Sequence, residues 1–175
     1  MDRAVFLDRD GVINAVVLRD GKPASPRSLA EFQIESDLGP PLARLRDAGL
    51  RLFVVTNQPD IARGFLSFEV LEQIHRQLTD RLPIEAVCVC PHDDRDGCQC
   101  RKPKPGMLTR LAERERIELS RSFVIGDSWR DMRAARAAGC VAILLDRAYN
   151  RSDDADYRLS GVAAAVDLIL ENLTR

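Results

Sequence analysis

Two carboxylates lie close together near the start of the chain, in the sequence Asp8-Arg9-Asp10-Gly11. With one residue between them in an extended or turning segment, both side chains can reach one site. One carboxylate can then attack as a nucleophile while the other transfers a proton. The same residues also suit a polar turn, because Asp-Gly is a common turn pair. The pair is a candidate catalytic centre that needs support from other residues.

Polar side chains also follow two other short apolar runs of the chain. Thr56, Asn57 and Gln58 offer hydrogen bonds to phosphate oxygens or to a substrate hydroxyl, although such residues also form simple turns. Asp127 offers a hard oxygen ligand for a metal ion. Asp131 is open to two interpretations, because it can contact the same metal, through water, or cap a helix through an S-x-x-D pattern. These groups favour a site built from strand ends.

A basic segment stiffened by prolines, residues 101–106, lies between these motifs. Such a segment can hold Lys102 at a fixed point for a phosphate contact, although a solvated basic loop is equally consistent. The combination of motifs is more specific than any one of them. Mg²⁺ needs hard oxygen ligands, and phosphoryl transfer needs a nucleophile and charge neutralisation around the phosphate. One set of side chains meets both needs: Asp8, Asp10, Thr56, Lys102 and Asp127.

A cluster of soft metal ligands directly precedes the basic segment. Its members are Cys90, His92, Cys98 and Cys100. Thiolates and imidazole select tetrahedral Zn²⁺, and four protein ligands leave no open position, so the pattern predicts a structural zinc loop over residues 90–100. Unliganded surface cysteines are the alternative. Bound zinc would stabilise a loop that has no apolar core and would set the direction in which Arg101 and Lys102 leave it.

These groups need a scaffold that brings them together. Five strands are predicted, over Ala4–Leu7, Leu52–Val55, Ile84–Val89, Phe123–Ile125 and Val141–Leu145. Helical patterns are predicted around Leu38–Leu45, Phe68–Leu78, Met107–Leu111, Trp129–Ala138 and Val162–Leu173. Strands that alternate with helices predict an α/β fold with a parallel sheet covered on both faces, and such sheets bind ligands at the carboxyl ends of their strands. Residues 19–28 and 146–156 are predicted to be loops, and His75 is expected at the surface of its helix.

Length and composition restrict the classes of protein to which the chain can belong. Its 175 residues, 45% of them apolar, suit one domain with a sizeable core, which excludes disorder as the main state. The net charge of −1 provides no general attraction to nucleic acid or to acidic membranes. No apolar run approaches the roughly 18 residues of a membrane span, and the first apolar run is too short for a signal peptide. We therefore expect a single domain, residues 1–175, in the cytoplasm, where thiols stay reduced.

Five motifs, in order, resemble the haloacid dehalogenase superfamily. They are DRDGVIN (residues 8–14), TNQ (56–58), IARG (61–64), CPH…CQCRKPKPGM (90–107) and GDSWRDM (126–132). The resemblance is to the branch that holds the heptose-bisphosphate and histidinol-phosphate phosphatases. It implies a three-layer Rossmann-like fold with a minimal cap, in which the zinc loop partly covers the site. It also implies a Mg²⁺-dependent phosphomonoesterase for a small phosphorylated metabolite: a heptose 1,7-bisphosphate first, with histidinol phosphate or another sugar phosphate as alternatives.

The resemblance also implies roles for individual side chains. Asp8 is expected to form an aspartyl-phosphate, and Asp10 to protonate the leaving oxygen and then to activate water. Thr56 and Lys102 are expected to hold the phosphate. Mg²⁺ is expected on Asp8, on Asp127 and on the backbone carbonyl of Asp10. Substrate contacts are expected from Arg9, Asn57, Gln58 and Arg101.

Three further expectations concern the substrate and the oligomeric state. The chain departs from the family at substrate-facing positions, residues 15–19, 59–60 and 128, so the sugar is left open. A nucleic-acid substrate is disfavoured because the chain has no dense basic or aromatic stripe. A small cap leaves the site accessible, which favours a monomer. If the protein is not an enzyme, the alternative function is that of a zinc-dependent binding module without catalysis.

Overall fold

A computed structural model describes residues 1–150 and 154–173, and its core is a six-stranded parallel sheet. The strands of this sheet are β1 (Ala4–Leu7), β4 (Arg51–Asn57), β5 (Ala86–Cys90), β6 (Phe123–Gly126), β7 (Val141–Leu145) and β8 (Tyr157–Leu159). They lie in the order β5-β4-β1-β6-β7-β8. A separate antiparallel hairpin consists of β2 (Val17–Arg19) and β3 (Lys22–Ala24).

Five α-helices connect or follow these strands in the described ranges. They are α1 (Gly39–Asp47), α2 (Phe68–Arg81), α3 (Gly106–Glu115), α4 (Trp129–Ala138) and α5 (Val162–Leu173). Local sequence sets several of their ends. The hydroxyl of Ser67 accepts a hydrogen bond from the Val70 amide at 3.2 Å and so caps the start of α2. None of the helices in the described ranges is long and apolar enough to span a membrane.

The helices cover both faces of the sheet, as the sequence predicts. On one face, Val5 and Leu7 of β1 pack in a core shared with α1, α2 and α5. On the other face, Ala4 and Phe6 pack in a core shared with α3 and α4. Successive residues of a strand point to opposite faces, so a four-residue apolar strand contributes to two cores. The predicted three-layer, Rossmann-like α/β fold is confirmed.

The order of the strands places a ligand site at the centre of the sheet. β1 pairs with β4 on one side and with β6 on the other, so the connections diverge on the two sides of β1. In open α/β sheets, ligands bind outside the carboxyl ends of the strands where this divergence occurs. Asp8 follows β1, Asn57 ends β4 and Asp127 follows β6, and all three lie at this edge.

The structure contains elements that the sequence pattern did not predict. Residues 19–28 are not all loop, because β3 begins at Lys22. The hairpin turns at Asp20 and Gly21, whose φ angles are +50° and +71°, and Asp-Gly between two short runs is a known hairpin signal. Strand β8 was also missed, since its three residues are mostly exposed and carry no apolar pattern. Strand β8 begins directly after residues 146–156, the segment that was predicted to be a loop. Residues 151–153 of that segment lie outside the described residues.

Candidate active site

Asp8 lies at the end of β1 with its carboxylate in a cleft. The strand leads directly into this residue, because the Asp8 amide still donates to the Ile125 carbonyl of β6 at 2.9 Å. The side chain is only 13% exposed. Burial raises the pKa of Asp8 well above its usual value, the Lys102 ammonium opposes this, and the nearby Asp131 and Asp127 raise it further. A partly desolvated carboxylate with one cation beside it can act as a nucleophile.

Lys102 reaches Asp8 from the loop that precedes α3. Its Nζ atom donates to Asp8 Oδ1 at 2.8 Å, to the Val55 carbonyl at 2.9 Å, and also to Asp131 Oδ1. Burial alone lowers the pKa of Lys102, but the two carboxylates outweigh this effect and raise it above its usual value. The backbone of Lys102 exchanges two hydrogen bonds with the Asn57 side chain, at 3.0 and 3.1 Å. Lys102 is therefore held as a buried cation against Asp8.

Three acids form a candidate Mg²⁺ site beside this lysine. One carboxylate oxygen each of Asp8, Asp127 and Asp131 lies within 4.8 Å of the others. Burial, followed by the charge of Asp131, raises the pKa of Asp127 to about 6, so this negative charge is costly without a cation. A Cβ atom on Gly11 would lie 2.1 Å from Asp127 Oδ2, so a glycine is needed for this close approach. Hard oxygen donors and unbalanced negative charge fit Mg²⁺.

Asp131 has a second role that the sequence left open. Its Oδ2 atom accepts a hydrogen bond from the Ser128 amide at 3.1 Å, which is part of a capping box at the start of α4, and a second one from the Ser128 hydroxyl. Its Oδ1 atom accepts from Lys102. Both carboxylate oxygens are thus engaged by protein donors, and this arrangement favours capping and lysine positioning over direct metal ligation.

Asp10 lies beside Asp8 and is held by many donors. Its two oxygens accept from Arg9, from Asn14 and Gln58 at 2.9 Å, and from the Ser25 hydroxyl at 2.7 Å. Burial alone raises the pKa of Asp10, but the Arg9 charge and the side-chain hydrogen bonds outweigh it and lower the pKa. Without substrate, the Asp10 side chain is therefore an ionised carboxylate that can accept a proton. A dianionic phosphate nearby would raise its proton affinity, because like charge disfavours the ionised form.

Three predicted site residues are buried beneath the cleft. Arg9 and Gln58 have no exposed surface, Thr56 is 1% exposed, and none of the three lines the cleft. The placement of Arg9 argues against its predicted substrate contact, because a guanidinium with no accessible surface cannot reach a ligand. The sequence already indicates that Arg9 points away from the cleft. Successive side chains of an extended segment alternate in direction, so Asp8 and Asp10 share one side and Arg9 lies on the other. Gln58 contacts Asp10, and Thr56 accepts from Gln58 at 2.9 Å.

The cleft itself has a volume of about 370 Å³ and is also lined by residues outside the predicted set of site residues. The β2–β3 hairpin forms part of one wall, and the start of α4 forms part of another. The added lining residues are Val16, Pro23, Ala24, Ser25, Trp129, Arg130, Tyr149 and Asn150. Tyr149 donates to Asp127 Oδ2, and Asn150 donates to the Asp127 carbonyl at 2.8 Å. The segment after β7 thus helps to hold a predicted metal ligand, although its composition indicated only a polar loop.

The four predicted zinc ligands converge in the loop beside the cleft. The Sγ atoms of Cys90, Cys98 and Cys100 lie 3.1–3.6 Å apart, and His92 Nδ1 lies 3.3 Å from Cys100 Sγ. Ligand atoms around a tetrahedral zinc with Zn–S bonds of about 2.3 Å stand about 3.8 Å apart, so the cluster needs little expansion to hold the ion. The donor set is compatible with zinc.

Arg101 lines the cleft and is held by the zinc loop. Arg101 Nε donates to Asp94 Oδ1 at 2.6 Å, and its Nη1 donates to the His92 carbonyl at 3.2 Å. Lys104 Nζ donates to the Cys98 carbonyl at 2.7 Å and so ties the basic segment back to the loop. Arg101 and Lys104 are therefore tied to the loop that carries the cluster.

Comparison with known proteins places the chain in one family. A HAD-hydrolase-like family model matches residues 99–175. The D-glycero-beta-D-manno-heptose-1,7-bisphosphate 7-phosphatase of Pseudomonas aeruginosa is 40% identical over 147 residues, which are 81% of this chain and 79% of that protein. The chain belongs to the haloacid dehalogenase-like hydrolase family. The resemblance inferred from the motifs is confirmed.

Other members of the haloacid dehalogenase-like family support the same placement. The heptose-bisphosphate phosphatase of Bordetella bronchiseptica is 35% identical over 159 residues, 85% of this chain and 83% of that protein. A crystal structure of a D,D-heptose 1,7-bisphosphate phosphatase from B. bronchiseptica, complexed with magnesium and phosphate, aligns with a TM-score of 0.83 at 31% identity. The alignment covers 97% of this chain and 99% of that one. The predicted enzyme class, a phosphoric monoester hydrolase, is confirmed.

Proposed function

We propose that this protein is a Mg²⁺-dependent phosphatase that removes the 7-phosphate of D-glycero-D-manno-heptose 1,7-bisphosphate through an aspartyl-phosphate. The observation that carries the proposal is the contact of Lys102 with Asp8, with Asp10 and Asp127 beside them at the edge of the sheet. The named relatives and the structural neighbour with bound magnesium and phosphate support it.

In the first step, an oxygen of Asp8 attacks the phosphorus atom of the ester. The bond between phosphorus and the sugar oxygen breaks, and Asp10, protonated in the substrate complex, gives its proton to that oxygen. Lys102 holds the Asp8 carboxylate and offsets negative charge as the phosphoryl group arrives. The products of this step are the free sugar hydroxyl and an aspartyl-phosphate on Asp8.

In the second step, Asp10 accepts a proton from a water molecule as that water attacks the aspartyl-phosphate. The phosphorus bond to Asp8 breaks, inorganic phosphate leaves, and the Asp8 carboxylate is restored. Asp10 is ionised at this point, because it gave up its proton in the first step, and so it can act as the base. Asp8, Asp127 and the Asp10 carbonyl would hold Mg²⁺. The bound ion supplies charge stabilisation to the phosphate oxygens.

The lining of the cleft supports a substrate with a second anionic group. Two guanidinium-bearing side chains, Arg101 and Arg130, line it together with Asn57. Arginine suits planar recognition of phosphate, and two cations disfavour the ammonium group of histidinol phosphate. The same arginines therefore favour a sugar bisphosphate over the main alternative.

We expect kcat/KM for heptose 1,7-bisphosphate to exceed that for histidinol phosphate by more than about 100-fold, the size of about two charge-assisted contacts. The measurement is phosphate release with Mg²⁺ present, with a 3′-phosphorylated oligonucleotide as a third substrate. Faster turnover of histidinol phosphate or of the oligonucleotide would reassign the substrate. Absence of Mg²⁺-stimulated release from a broad panel of esters would instead favour the non-catalytic zinc module.

Zinc is proposed to be structural in this enzyme. Replacing Cys98 by serine removes one ligand of the cluster, so we expect the melting temperature to fall by at least about 5 °C, because metal binding energy is part of the folding energy. Activity should fall as well, since Arg101 and Lys102 follow the loop. Differential scanning fluorimetry and zinc analysis of the purified variant provide the measurement.

The matched control for this variant is Cys88→Ser. Cys88 lies on the same strand as Cys90 but outside the four-ligand cluster, and it is half-buried. This variant should keep its zinc and most of its stability. The melting temperatures of Cys98→Ser and of the parent protein are compared with zinc present and again after a chelator has removed it. If the two proteins melt at the same temperature in both conditions, the structural role is wrong.

The remaining expectations complete the proposal. We propose that residues 1–175 act as one domain, as a monomer, in the cytoplasm. The support for the compartment is chemical: the five cysteines are free thiols, and three of them form with His92 a candidate metal-ligating set that needs reduced sulfur.

A further inference from the structure

A fully buried arginine separates the two catalytic aspartates in the sequence, and its side chain points away from the cleft. Arg9 has no exposed surface. Its Nε and Nη2 atoms donate to Asp10 Oδ1 at 3.1 and 3.0 Å. Its guanidinium carbon lies 5.9 Å from the centre of the Phe32 ring. The remaining terminal nitrogen, Nη1, lies 3.2 Å from Nε2 of His75 on α2.

The chemistry of this contact determines the state of the imidazole. Arginine has only donors, so His75 Nε2 must be the unprotonated acceptor, and the proton of a neutral ring lies on Nδ1. Burial, followed by the positive charge of Arg9, lowers the pKa of His75 to about 4, while Asp10 acts in the opposite direction. His75 was expected to be a surface residue, but its ring is partly buried and engaged across 66 positions of sequence.

The guanidinium is planar, so its three contacts are linked. Fixing Nη1 on His75 fixes the plane in which Nε and Nη2 meet Asp10. Loss of the acceptor would leave a buried N–H group unpaired, and the guanidinium would turn to satisfy it. Asp10 would then change orientation relative to the leaving oxygen, where small displacements cost rate.

We propose that His75, outside the cleft, is a positioning residue for Asp10: its neutral ring accepts from Arg9 and thereby orients the carboxylate that transfers the proton. This inference rests on the proposed function, because it assigns proton transfer to Asp10. His75 acts on Asp10 through Arg9 and not by contact with substrate or metal.

The kinetic test compares His75→Phe with His75→Gln, whose side-chain oxygen can still accept from Arg9. The substrates are the alkyl phosphate that the enzyme turns over fastest and p-nitrophenyl phosphate, whose phenolate leaves without protonation. We expect His75→Phe to lower kcat/KM by about tenfold or more for the alkyl ester and by less than about threefold for the aryl ester. His75→Gln should restore most of the alkyl activity. Arg76→Gln, an exposed neighbour on α2, is the matched control and should change neither rate.

Two kinetic outcomes would overturn the proposal. Equal losses for both esters would mean that His75 supports the fold and not the proton transfer. A His75→Gln variant as impaired as His75→Phe would mean that hydrogen-bond acceptance is not what matters.

The spectroscopic test does not depend on activity. The chain has two histidines, and they should show opposite neutral tautomers in ¹⁵N correlation spectra of the zinc-loaded protein. His75 is expected as the Nδ1–H form, and His92, which offers Nδ1 to the cluster, as the Nε2–H form. A charged or Nε2–H ring at His75 would remove the contact on which the proposal depends. If the wild-type enzyme hydrolyses no ester while the tautomer is as expected, the proposed function fails and the contact itself stands.

Discussion

Replacing Asp8 by asparagine is expected to lower kcat for hydrolysis of phosphate esters by more than about 10³-fold, since it removes the nucleophile and leaves only binding and charge stabilisation. The amide is nearly isosteric, and it relieves a buried negative charge, so the fold should be retained. The measurement is steady-state phosphate release with Mg²⁺ present. Mass spectrometry of acid-quenched enzyme should detect a phosphoryl group on the parent protein and none on the variant.

A matched control for this substitution is Asp47→Asn. Asp47 ends α1, and its side chain is 66% exposed and pairs with the neighbouring Arg46 at the surface. The control should retain the full rate. An Asp8→Asn enzyme that works at close to the parent rate would show that the nucleophile has been assigned to the wrong residue.

Replacing Lys102 by methionine is expected to reduce both stability and activity. The ammonium is 4% exposed and lies between Asp8 and Asp131, so its removal leaves buried carboxylates without a partner. Breaking a buried ion pair on one side costs about 3–5 kcal/mol in the free energy of unfolding. Activity should fall by more than about 100-fold, since the phosphoryl group would lose its fixed cation. Chemical denaturation and phosphate release are the two measurements.

A double variant separates these two effects. Adding Asp131→Asn to Lys102→Met removes one of the unpaired charges, so part of the lost stability should return while the activity does not. Stability that fails to recover would mean that Asp131 is not the partner whose charge is left unbalanced. Activity that survives Lys102→Met alone would contradict the phosphate-holding role.

The scaffold could be predicted from the sequence because its signals are local. Strand β7 was predicted with its observed bounds, Val141–Leu145, since a short apolar run between helical patterns is typical of a strand covered on both faces. The helix from Trp129 to Ala138 was predicted equally well, because a capping pattern precedes it and Gly139, with a φ of +80°, ends it. By contrast, the β2–β3 hairpin is short and exposed, and its contribution to the cleft depends on where the whole loop folds.

The candidate site could be predicted from the sequence only where its residues are close in sequence or follow strands of one sheet. The zinc ligands lie within eleven residues, and Asp8, Asp10 and Asp127 come together because parallel strands end at a common edge. The amino-acid order was enough for both. Packing across the chain decided that Asp131 gives one of its oxygens to Lys102 and that His75 meets Arg9. Such contacts join residues far apart in sequence, so they exist only once burial forces each polar group to find a partner.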